Sequence, residues 1–230
     1  MTRFYTASGS RETFWYRDAL VRPIGTDMSH NTLIHGLVRP AVRALAAHTG
    51  LTPNHLTTLR LTTGLAAAVI FAQGPYGWAS IFGGLIFLLS MLLDRADGEL
   101  ARHTNQMSVA GHRYDLASDC IVGISTFIGI GIGVAHTAGL NALWLGALAG
   151  IGIGVLFLEF NLMNLASVRG HDLFGGRIRV DPDDAMILVP VLVWCNLAAP
   201  MLIAAAVVAP LAALGMGAIG LLRRPIRCSR

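Results

Sequence analysis

An all-α, polytopic membrane helical bundle is the fold class this chain predicts, and three observations carry that prediction. Hydrophobic residues make up 54% of its 230 positions and charged residues only 13%, where a soluble domain carries about 25% charge. The mean hydropathy is +0.60, and the charge is missing from whole stretches, several of them near the ~20 residues that cross a bilayer. All 17 basic residues are Arg, and they gather between alternate pairs of apolar stretches. A water-soluble fold would leave too much of that apolar surface in water.

The apolar stretches fall at 55–72, 78–94, 115–135, 142–160, 183–199 and 201–222. They predict about six transmembrane helices. The boundary between the last two rests on Asn196, Pro200 and the length of the uncharged run from Ala185 to Leu222. Arg3 to Arg43 precede the first stretch; Arg95, Arg102 and Arg113 lie between the second and third; Arg169, Arg177 and Arg179 lie between the fourth and fifth; Arg223 to Arg230 follow the sixth. Only Arg60 falls inside a span, and the alternate loops near Gln73–Gly77, His136–Asn141 and Asn196–Pro200 carry no charge. Under the positive-inside rule this asymmetry places both termini and the arginine-bearing loops in the cytoplasm, and an even number of spans agrees with it.

Three regions follow. Residues 1–54 form a cytoplasmic N-terminal segment, 55–222 the membrane domain and 223–230 a basic cytoplasmic tail. Within the first, Leu33, Ile34, Leu37, Val38, Ala41, Val42 and Leu45 recur at helical spacing from Asn31 to Ala47. That stretch reads as a juxtamembrane amphipathic helix, interfacial or packed on the bundle, with Pro40 a kink point. The first 50 residues lack the short apolar core of a cleaved signal peptide.

Composition also excludes some function classes. The pI near 9.4 does not point to nucleic acid, because the arginines flank apolar spans where topology and anionic headgroups call for them. Cys120, Cys195 and Cys228 are far apart and form no zinc or disulfide pattern. The glycines of the third and fourth spans, among them Gly129, Gly131, Gly133, Gly146 and Gly150, stand at spacings that let helices approach closely in lipid. The GIGIG run has no preceding strand and is read as helix packing.

The strongest signal is a stretch from Asp94 to Asp119, DRADGELARHTNQMSVAGHRYDLASD. Carboxylates in a membrane segment cost about 2.5–3.5 kcal/mol each on insertion scales and mark functional sites by default. Asp94 and Asp97 are i,i+3 at the end of the second span, and Asp115 and Asp119 are i,i+4 at the start of the third, so each pair shares a helix face. Two such faces turned together make an all-oxygen cage suited to Mg²⁺ or Mn²⁺. Two such ions about 3.5–4 Å apart can neutralise a pyrophosphate and align an incoming oxygen, and a nearby carboxylate can take the proton. Gly98 and Ala101 leave room for a ligand against the backbone, and Arg102 can neutralise a phosphate. The alternative is a solvated cap held by ion pairs to Arg95, Arg102 and Arg113.

These residues resemble the CDP-alcohol phosphotransferase family, whose pattern DxxDGxxARx₈GxxxDxxxD is matched at every specified position by Asp94, Asp97, Gly98, Ala101, Arg102, Gly111, Asp115 and Asp119. Thr52-Pro53-Asn54 before the first span adds to the likeness. The resemblance implies transfer of a substituted phosphoryl group, phosphatidyl when the donor is CDP-diacylglycerol, to the hydroxyl of a second alcohol, with release of CMP. It implies that Asp94, Asp97 and Asp115 hold two metal ions, with Asp119 touching one and acting as general base. It also implies that Gly98, Ala101, Arg102 and Gly111 line the nucleotide site. The expected acceptor is a small alcohol or alcohol phosphate, for which Arg169, Arg177 and Arg179, with His171 beside them, are the candidate ligands. Asp181, Asp183 and Asp184 offer the same arginines carboxylate partners. Asn54 and Thr57 can meet the nucleotide, and Glu159 reads as a cap of the fourth span.

A bacterial inner membrane and a homodimer complete the expectation. Two alternatives remain: CDP-ethanolamine or CDP-choline as donor with a lipid acceptor, and a divalent-cation transporter.

Overall fold

The computed structural model describes Pro40, Val42 and residues 50–162, 171–173, 178–180 and 182–222. Within them the chain is an integral, polytopic membrane bundle of six helices: α1 Pro53–Ala72, α2 Gly77–His103, α3 Val109–Ala138, α4 Asn141–Leu162, α5 Leu188–Trp194 and α6 Ala198–Leu222. All except α5 are long and apolar enough to cross a membrane. The all-α expectation therefore stands. A two-stranded antiparallel hairpin is added between α4 and α5, β1 His171–Leu173 with β2 Ile178–Val180, in the register His171 opposite Val180.

The expected fifth span differs in its build. A 3₁₀ segment, Pro182–Ile187, leads into the two-turn helix α5. Pro190 supplies the reason. Its ring excludes the α-helical carbonyl of the residue four positions back, whereas it is tolerated in the first turn of a helix; the α-helix starts at Leu188 and tighter i,i+3 turns precede it. Together the two pieces rise about 22 Å. They run from Pro182 to Trp194; Met186 lines a cavity with Asp94, and the Trp194 indole Nε1 donates to Ser80 O at 2.8 Å at the far end of α2. Asn196, at a left-handed φ of 59°, turns the chain into α6.

α1 packs on α2 and α3, α3 on α4, and α4 on α6. The close approaches are made by glycine. A Cβ on Gly129 would strike the Ala68 backbone of α1, and one on Gly131 would stand 2.8 Å from the Gly146 Cα of α4. The expected packing role of these glycines is met inside one chain. Phe71, Phe87, Ile130, Val134, Val193 and Leu202 fill the centre of the bundle and are buried.

Of the expected amphipathic helix only Pro40 and Val42 lie among the described residues. Both have helical backbone, and Val42 is buried against Leu56 and Leu100 at one end of the bundle.

Candidate active site

Three helices supply the site. α1 opens on the Thr52-Pro53 start, with Thr52 in extended backbone as N-cap, its N–H donating to His55 Nδ1 at 3.2 Å, and Pro53 in the first helical turn. That start directs Thr57 and Arg60, three residues apart, toward α2 and α3. α2 and α3 continue past the apolar stretches, α2 to His103 and α3 back to Val109. The aspartates therefore lie about one and a half to three turns inside the helix ends, and the polar extensions wall a recess above them.

The sequence-predicted acids converge. Asp94, Asp97 and Asp115 each offer a carboxylate oxygen within 4.8 Å of the others, enough to hold a metal ion among them. The donor set is entirely carboxylate oxygen, which fits Mg²⁺ or Mn²⁺. Asp97 is the deepest, 4% exposed, and accepts a 2.7 Å hydrogen bond from Thr57 Oγ1. Asp119 stands outside that triplet and is joined to it through a cation.

That cation is Arg60, which stands out in the sequence only as the single arginine inside a span. Its guanidinium is 2.9 Å from Asp94 Oδ1 and 2.9 Å from Asp115 Oδ1, and is paired with Asp119 Oδ1. One buried side chain on α1 thus ties both acidic faces together. A charge buried in a membrane protein must be paired, and for Arg60 the acids at the ends of the neighbouring spans are the natural partners. Ser90 Oγ donates to Arg60 O at 2.9 Å and fixes this turn of α1 to α2.

Two cavities flank the acids. The outer one, about 810 Å³ with its open side included, is lined by Asp97, Asp115, Gly98, Ala101, Arg102 and Gly111, with Thr57 and Pro53 from α1. The four residues expected at the nucleotide are thus gathered beside two of the acids. Among the described residues, nothing comes within van der Waals contact above Gly98 except the Arg102 guanidinium, 3.8 Å from where a Cβ would stand. Gly111 has a different reason: a Cβ there would meet Ser108 Oγ at 2.9 Å and Asn54 Oδ1 at 3.3 Å, and Ser108 Oγ is the N-cap of α3, accepting from Gly111 N. Arg102 is anchored to Glu99 at 3.0 Å and remains half exposed. The ion pairs of the aspartate quartet are made by Arg60, which leaves Arg102 at the cavity wall where the nucleotide site was expected.

The inner cavity, about 620 Å³ with its open side included, lies between α2, α3, α4 and the 3₁₀ segment. Phe87, Met91, Val122, Ile153, Phe157 and Met186 form its walls, and Arg60, Asp94 and Asp119 its polar end. Nothing in the sequence pattern announced it, because it is shaped by four elements distant in the chain.

Arg169 and Arg177 lie outside the described residues, and Arg179 is described only as backbone in β2, opposite Asp172. Glu159 on α4 approaches Gly217 of α6, with Oε2 buried and unpaired among the described residues.

Fold and site together define a polytopic membrane protein with a carboxylate centre set between two cavities. The sequence profile of the CDP-alcohol phosphatidyltransferase family matches residues 50–211, and the chain belongs to that family. Among curated proteins it is similar to cholinephosphotransferase 1 of Gallus gallus, 32% identical over 143 residues, covering 62% of this chain and 39% of the relative. It is 27% identical over 139 residues to cholinephosphotransferase 1 of Danio rerio, covering 53% and 36%. The chain thus spans less than two-fifths of the length of these relatives.

Its fold is shared with phosphatidylinositol phosphate synthase (PgsA1) of Mycobacterium tuberculosis. The TM-score is 0.66 to the complex with manganese and citrate, at 20% identity over 84% of this chain and 92% of that one. To the form with CDP-DAG bound it is 0.65, at 20% identity over 84% and 97%.

Proposed function

We propose that this chain transfers a substituted phosphoryl group from a CDP-alcohol to the hydroxyl of an acceptor alcohol and releases CMP. The observation that carries this reading is the convergence of Asp94, Asp97 and Asp115 beside a cavity lined by Gly98, Ala101, Arg102 and Gly111. Two divalent ions, Mg²⁺ or Mn²⁺, belong to the proposal. Four carboxylates face one guanidinium, an excess of negative charge that a single dication does not balance. The ions would supply charge neutralisation on the pyrophosphate oxygens.

The chain's own residues divide the remaining work. Asp94, Asp97 and Asp115 hold the ions, and Thr57 orients Asp97. Arg102, at the rim of the outer cavity, meets a phosphate of the nucleotide, while Gly98 and Ala101 let the ligand lie on the α2 backbone. Asp119 takes the acceptor's proton as general base. The acceptor oxygen forms a bond to the phosphorus that carries the donor alcohol, the bond from that phosphorus to the cytidylyl phosphate breaks, and CMP leaves with the electron pair.

CDP-diacylglycerol is the first donor to test; the mycobacterial synthase that shares this fold has been observed with CDP-DAG bound. CDP-choline or CDP-ethanolamine is the second, supported by the sequence likeness to cholinephosphotransferases. The membrane assignment extends, within the proposal, to a bacterial inner membrane with termini and acids facing the cytoplasm, as the arginine distribution suggests. A homodimer also belongs to the proposal, on the family likeness.

The test is CMP release by purified protein with Mn²⁺, each donor and a panel of acceptors. Silence across every pairing, together with Mn²⁺ uptake into proteoliposomes that Asp97→Asn abolishes, would replace the enzyme by a cation transporter.

A further inference from the structure

We infer that Arg60 couples metal capture to substrate: its guanidinium competes with the second dication for shared carboxylates, so the protein alone retains one dication and takes up the other only together with the diphosphate of the CDP-alcohol. The inference rests on the phosphotransfer reading above and deepens it.

The four carboxylates divide into two overlapping sets. Asp94, Asp97 and Asp115 converge within 4.8 Å of one another. Asp97, held by Thr57 rather than by Arg60, opens this set onto the outer cavity. Asp94, Asp115 and Asp119 form the second set, and Arg60 engages an oxygen of each. Asp94 and Asp115 belong to both sets. A dication bound with Asp97 therefore meets a carboxylate that the guanidinium does not claim. One bound with Asp119 must first take Asp94 and Asp115 from an arginine that is buried beside them.

Charge sets the order of entry. When all four acids are ionised, they face one guanidinium, and one dication leaves a single negative charge on the centre. A second dication would turn the centre positive, and it would repel the guanidinium strongly in a site screened from water. The diphosphate of a CDP-alcohol reverses that balance, because it brings negative charge and further oxygen ligands to the incoming ion. Arg60 also lines the inner cavity with Asp119, which gives the guanidinium room to step back from Asp94 and Asp115 with Asp119 still its partner. Ser90 Oγ donates to Arg60 O at 2.9 Å, so the exchange is a side-chain movement on a fixed turn of α1.

The test is a count of Mn²⁺ on the purified full chain in detergent, by equilibrium dialysis with elemental analysis and by electron paramagnetic resonance. CDP is the probe, and CMP is its single-phosphate control. The parent is expected to hold one Mn²⁺ per chain, alone or with CMP, and to give the spectrum of an isolated ion. CDP is expected to raise the count to two, with the spectrum of coupled neighbours, and to lower the half-saturating concentration of the second ion at least tenfold. By reciprocity the second ion tightens CDP binding by the same factor.

Arg60→Gln is expected to take the second Mn²⁺ without nucleotide, at a concentration at least tenfold below the parent's. Arg60→Lys keeps the charge but cannot fork to three carboxylates; it is expected to fall between the two, and it decides the matter if the glutamine variant does not fold. A parent count other than one without CDP overturns the inference, as does a second-ion affinity unchanged by substitution. CMP release from CDP-diacylglycerol and CDP-choline is followed in the same preparations. Release from a parent that holds two ions without CDP sinks the coupling alone. No release from any pairing sinks the phosphotransfer reading, and the counts without nucleotide still decide the role of Arg60.

Discussion

Arg60 on α1 and Asp119 on α3 are ion-paired across the helix interface, and the same guanidinium reaches Asp94 and Asp115 at 2.9 Å. The carboxylate centre is therefore a structure of three helices, with its permanent counter-charge on the one helix that the family pattern does not cover. Removing one partner from a buried ionic cluster costs about 3–5 kcal/mol, because the remaining charges stay buried and unbalanced.

Arg60→Gln should lower the melting temperature in detergent without added metal and enlarge the stabilisation produced by Mn²⁺, since the ions then become the main cations among the acids. Arg60→Lys should recover only part of the loss, for an ammonium cannot fork to three carboxylates. Thermal melts with and without Mn²⁺ check both; a melting curve for Arg60→Gln identical to the parent's in each condition would refute the role.

Asp119→Asn and Asp97→Asn should part company. The first removes the proton acceptor and should cut turnover by about 10²–10⁴ while Mn²⁺ titration remains close to the parent's. The second removes a carboxylate of the converging triplet and should weaken Mn²⁺ binding as well. Calorimetric titration of the two variants distinguishes the roles, and equal Mn²⁺ affinity in both would refute the assignment.

Thr57→Val deletes the hydroxyl that donates to Asp97 at 2.7 Å and nearly preserves the side-chain volume. Partners that orient a metal-binding carboxylate are worth about 10–100-fold in metal affinity. The half-saturating Mn²⁺ concentration should rise within that range, with turnover largely recovered at high Mn²⁺.

Gly111→Ala introduces a Cβ 2.9 Å from the N-cap hydroxyl Ser108 Oγ and 3.3 Å from Asn54 Oδ1. Displacing that cap should cost about 1 kcal/mol of stability and shift the wall of the outer cavity. A higher KM for the CDP-alcohol with Mn²⁺ affinity preserved is the expected result in steady-state assays. Asn54→Ala combined with Gly111→Ala should relieve part of the defect.

What was legible in the chain was whatever has a short-range cause. The i,i+3 and i,i+4 spacing of Asp94, Asp97, Asp115 and Asp119 put each pair on one helix face, and the uncharged loops separated the helices. The role of Arg60 was harder to read because it pairs with residues at least 34 positions away, and only its standing as the one arginine within an apolar span hinted at it. The shortened α5 depended on where Pro190 falls within its helix, which hydropathy does not register. The helix extensions from Arg95 to His103 and from Val109 to Tyr114 were hidden for a related reason: their polarity ended the apolar stretches, while their backbones stayed helical to wall the outer cavity. Of the expected acceptor arginines, only the Arg179 backbone falls among the described residues.

Arg60 also sits earlier in the chain than any acid it neutralises, and this order has a consequence for biogenesis. As the nascent chain enters the lipid, α1 arrives first and brings its guanidinium with it; the hairpin of α2 and α3 then delivers four carboxylates to a neighbour already bearing positive charge. Chain order alone thus makes the cationic partner available before the carboxylates that pair with it.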